Sequence, residues 1–156
     1  MNFDALRHLY SVCCAIPKDE FRLNLFYQKE NGCVQGCGLG YAAVFGLCGL
    51  RIENEWQVPE YKHPSSGVTY RGMDAAMHAF GIARQDALDL FSGPGNSIYD
   101  KELVGRTHDK GLWMNRMEQF FAEKDLQLEN AEAIFEDQPK LIAYVFDDTN
   151  LTFGDA

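Results

Sequence analysis

Residues 21–50, FRLNLFYQKENGCVQGCGLGYAAVFGLCGL, carry both kinds of periodicity that this chain uses. Phe21, Leu23 and Leu25 alternate with Arg22 and Asn24, the two-residue repeat of a strand with one buried face. Lys29-Glu30-Asn31-Gly32 supplies turn residues. Cys37–Leu50 is small and apolar over a length that suits a buried helix. Gly38 and Gly40 inside it each cost about 1 kcal/mol of helix propensity, so they point to close packing or an irregular first turn. A strand, a turn and a buried helix in one stretch predict an α+β fold.

On the N-terminal side, Phe3, Leu6, Leu9, Tyr10 and Cys13 recur at helical spacing until Pro17 ends the run. On the C-terminal side, Ile52, Trp56, Val58 and Tyr61 sustain no period, and Pro59, Pro64 and Ser65-Ser66-Gly67 interrupt them, so residues 51–71 are expected to form a short strand and a long loop. Met73–Phe80 is expected to be a helix closed by Gly81. A second helix, Ala83–Phe91, would have Arg84, Asp86 and Asp89 on its wet side, and Ser92-Gly93-Pro94-Gly95-Asn96 breaks the chain after it. Leu112, Trp113, Met117, Phe120 and Phe121 mark the clearest amphipathic helix. Ala131–Phe135 fits a further short helix, and Lys140–Phe146 (KLIAYVF) a strand to set against Phe21–Tyr27. The expected architecture is one compact domain over 1–146, mostly helical with a small antiparallel sheet, and a loose acidic tail over 147–156.

The chain has 156 residues, 46% of them hydrophobic and 13% aromatic, enough to build one sizeable core and too apolar for disorder throughout. No apolar run approaches the roughly 20 residues of a membrane span, and MNFDALRHLY lacks the basic start and apolar core of a signal peptide. With five cysteines, an odd number, the expected state is reduced thiol in a cytoplasm. Acids outnumber bases by 23 to 14, a net charge of −9, which disfavours direct binding to nucleic-acid backbones. Residues 117–156 hold ten of those acids and two bases, so −8 of the −9 lies in the last quarter. An acidic face of that kind solvates the protein and steers basic partners toward it.

Several patterns bear on chemistry. Cys37 at a helix start would gain thiolate character from the helix N-terminus, with Gln35 just upstream as a candidate oxyanion donor. A cysteine hydrolase then needs a base from His63, His78 or His108, and His108 is the candidate taken. The alternative for Cys37 is a core thiol behaving as a small hydrophobe, and mid-helix His78 reads as a packed histidine. Cys33 and Cys37 with a loop histidine do not reproduce the paired ligands of a structural zinc site, so no metal and no other cofactor is expected. Gly36, Gly38 and Gly40 fall short of a phosphate loop: Tyr41 and Ala43 stand where GxGxxG needs glycine. The acid pairs Glu53/Glu55 and Asp86/Asp89 read as solvated charge rather than acid–base catalysts.

Two segments, GCVQGCGLGYAA (32–43) and YRGMDAAMHAFGIARQDALDLF (70–91), together resemble small uncharacterised proteins of bacteriophages and their hosts. Those proteins open a central helix with CG(S/T)xxCxxGxA and later pass from an alanine-rich helix through FGI or FGL into a short helix ending in LF. The marks in this chain are Ala75, Ala76, Phe80, Gly81, Ile82, Ala87, Leu90 and Phe91, and the resemblance spans roughly residues 1–122. The chain departs from the pattern in having three residues between Cys33 and Cys37 instead of four, and Val34 in place of glycine.

The resemblance implies a phage or prophage origin rather than an activity, and a small, acidic accessory protein of that origin suggests counter-defence in the host cytoplasm. The first expectation is a non-enzymatic inhibitor that binds a basic host protein or defence complex through Glu118, Glu129, Glu132, Glu136, Asp137, Asp147 and Asp148. The second is an oligomer that sequesters a small anionic signalling nucleotide, using Arg51, Arg71, Arg106 and Lys110 as cations and Trp56, Tyr61 or Tyr70 for stacking. The third is the Cys37 hydrolase.

Overall fold

Asn31 and Gly32 decide the local topology, because both take positive φ (51° and 80°) and so close a two-residue hairpin of the mirror-image turn type. In the computed structural model, which describes residues 1–124 and 126, they join β1 (Tyr27–Glu30) to β2 (Cys33–Gly36), with Tyr27 opposite Gly36 and Glu30 opposite Cys33. The expected strand at Phe21–Leu25 is thereby displaced to Tyr27–Glu30. Phe21 and Leu23 are buried, but the segment meets the hairpin only as an isolated parallel bridge from Phe21 to Gly36. Its alternation reports a buried side, not a hydrogen-bonded ladder.

Before the hairpin runs α1 (Phe3–Cys14), where Asn2 caps the first turn by accepting from the Ala5 N–H and Leu6, Leu9, Val12 and Cys13 face the core. After the hairpin, α2 (Gly38–Val44) is shorter than the expected Cys37–Leu50: Gly46, at φ 70°, turns the chain left-handed, and a 3-10 turn over Leu47–Gly49 follows. Gly40 is required by close approach, since a Cβ there would overlap the Phe26 carbonyl oxygen.

Residues 51–71 hold more structure than one strand and a loop. β3 (Leu50–Arg51), β4 (Glu60–Lys62) and β5 (Thr69–Arg71) form a three-stranded antiparallel sheet in sequence order. Strands of two or three residues are too short to show a period, and side-chain knots hold the turns between them. Asn54 accepts from the Trp56 and Val58 amides and donates to the Val58 carbonyl, while the His63 ring accepts from the Ser65 and Ser66 amides.

α3 (Met73–Phe80) ends at Gly81, whose φ is 65°, and α4 (Arg84–Phe91) follows. Asp89 does not lie on a wet face: it is buried and accepts from Gln85 and from the Ile98 amide. α5 (Asp109–Glu123) is capped by His108, whose ring accepts from the Gly111 amide. Its apolar side carries Leu112, Trp113, Met117, Phe120 and Phe121 into a core shared with Phe21, Phe80 and Phe91. The fold class is α+β, with five α-helices and two small antiparallel sheets among the described residues. No helix among them is long and apolar enough to cross a membrane. The expected elements at Ala131–Phe135 and Lys140–Phe146, and the boundary at 146/147, lie outside the described residues.

Candidate functional site

Cys37 stands at the cap position of α2, as its place in the sequence implies, and there two opposing effects compete. Burial raises the thiol pKa, whereas the backbone amides of Gly40 and Leu39 lower it. Burial wins: only 1% of the residue is exposed, and the pKa is pushed up to about 11. The Trp113 indole lies against Gly38, the residue next to Cys37. A Cβ on Gly38 would lie 2.8 Å from its Nε1, and that buried nitrogen makes no hydrogen bond. The environment is that of a core thiol protonated at neutral pH.

The proposed partners of Cys37 have other duties. Gln35 sits on β2 and donates to the Asp19 carbonyl at 3.3 Å, bracing the 3-10 turn at Lys18–Glu20. The Nδ1 of His108 is spent on the α5 cap at 2.9 Å. No hydrogen bond joins any two of Cys37, Gln35 and His108 among the described residues. His78 is packed, but on the surface: it is exposed and lies flat on Tyr70 with ring centroids 3.6 Å apart. All five cysteines are free thiols, with Cys14 and Cys33 the exposed ones. Among the described residues no group of three His, Cys, Asp or Glu side chains is placed to hold a metal ion.

The candidate cations are mostly engaged. Register places Arg51, Glu60 and Arg71 in one row across the three-stranded sheet, on one face, with Leu50, Tyr61 and Tyr70 in the adjacent row on the other. The sheet therefore brings Arg51 and Arg71 to a common face and sends Tyr61 to the opposite one, against the core. Arg71 Nε donates to buried Glu60 at 2.7 Å, and Arg51 Nε lies 3.4 Å from Glu53. The two guanidinium charges are thus matched by two carboxylates. Lys110 donates to the Cys14 and Ile16 carbonyls at 2.7 and 2.6 Å, closing the C-terminal end of α1. Arg106 is exposed in the turn before α5. Trp56 is 75% exposed at the tip of the Asn54 knot. Of the candidate acidic contacts, Glu118 is exposed on α5, while Glu129, Glu132, Glu136, Asp137, Asp147 and Asp148 lie outside the described residues.

Sequence reasoning overlooked one pair. Arg116, fully buried, donates from Nε and Nη2 to Asp100 at 2.9 and 2.5 Å, and Asp100 is 1% exposed. The same guanidinium donates to the carbonyls of Ser92 at 2.8 Å and Gly93 at 2.9 Å. The signal was present: Arg116 falls on the stripe of Leu112, Trp113, Met117 and Phe120, where a charge must find a partner.

No protein-family model, no curated protein and no solved structure matches this chain.

Proposed function

We propose that the chain is a non-enzymatic accessory protein of bacteriophage type that binds and inhibits a basic component of host defence in the host cytoplasm. The observation that carries this is the concentration of acidic residues in the last quarter of the sequence. α5 buries its apolar side and presents Glu118 and Glu123 to solvent, and residues 125–156, next in the chain, add eight acids against one base. A field of that sign attracts a basic protein surface and repels nucleic acid, so it suits a protein that competes for a nucleic-acid-binding site. The buried state of Cys37 and the structural duties of Gln35 and His108 support a binding role over hydrolysis. The test is to replace Glu129, Glu132 and Glu136 with Gln and Asp137 with Asn. Partner affinity should fall and lose much of its salt dependence. Affinity that stays unchanged would remove the acidic-surface mechanism.

Sequestration of a small anionic nucleotide is the second reading, and one feature favours it: Arg51 and Arg71 share a sheet face, with exposed Trp56 in the loop from β3 to β4. Glu53 and Glu60 already balance both guanidinium charges, which ranks it below the first. Calorimetry with a panel of mono-, di- and cyclic nucleotides should give heat that Arg71→Gln abolishes, and no heat from any member would end it.

A further inference from the structure

We draw no further inference here: the strongest candidate, the surface groove of about 320 Å³ where Ile98, Tyr99 and Leu103 meet Asn115 and Gln119 of α5, carries none because nothing in the structure shows what covers it.

Discussion

Asp100→Asn removes one carboxylate charge and leaves the Arg116 guanidinium buried without its counter-ion. Breaking a buried pair from one side costs about 3–5 kcal/mol, because the remaining charge is neither solvated nor paired. Against the roughly 5–15 kcal/mol that holds a domain together, that is a large fraction. At about 2–4 °C per kcal/mol for a chain of this size, the midpoint of thermal unfolding should fall by roughly 6–20 °C. Removing both partners should hurt less than the sum of the single losses. In Asp100→Leu/Arg116→Met the Ser92 and Gly93 carbonyls and the Gly95 amide lose their partners, at about 1 kcal/mol apiece, but no buried charge remains. The double-mutant cycle should therefore show a coupling of at least about 2 kcal/mol. Urea denaturation followed through the fluorescence of buried Trp113 measures it. The account of this pair is refuted if Asp100→Asn costs less than about 1 kcal/mol, or if the two single losses simply add.

Three further outcomes are expected. Iodoacetamide at neutral pH should modify exposed Cys14 and Cys33 well before Cys37, whose thiol, raised to about 11, is thiolate in less than roughly one molecule in a thousand; Cys37 labelling first by mass spectrometry would restore the hydrolase reading. Gly40→Ala should destabilise the fold by at least about 3 kcal/mol, since its Cβ meets backbone rather than a movable side chain, and an unchanged melting temperature would contradict that packing. Burial holds the pKa of His8 below its ordinary 6.5, so the unfolded chain takes up a proton there before the folded one does; stability is then retained above pH 6.5 and lost as pH falls below it. His8→Gln should flatten that decline in denaturation midpoints measured from pH 7.5 to 5, and an unaltered slope would show that other groups set it.

Much of the helical part of the fold was legible in the sequence. Met73–Phe80 ends where it was read to end because Gly81 supplies the left-handed residue that closes a helix, and α5 follows from its apolar stripe. The strands were less legible. Asn31-Gly32 is a strong hairpin signal, but the alternation of Phe21, Leu23 and Leu25 was stronger and drew the strand to the wrong place. β4 and β5 were hidden by their length. At the candidate site, the sequence located Cys37 at a helix start but could not weigh burial against the helix amides, a contest that depends on how distant elements pack over the cap. Likewise, nothing local reveals that Lys110 closes α1 or that Arg71 is held by Glu60, since both pairings depend on how the elements pack.

In the proposed function a basic host protein binds the acidic last quarter of the chain. The decisive measurement is native mass spectrometry of the tagged protein drawn gently from its own host cells, beside the variant with Glu129, Glu132, Glu136 and Asp137 neutralised. A stoichiometric basic companion should ride on the native chain and be lost from the variant. A companion held equally by both, or a native chain that carries none, would contradict that function.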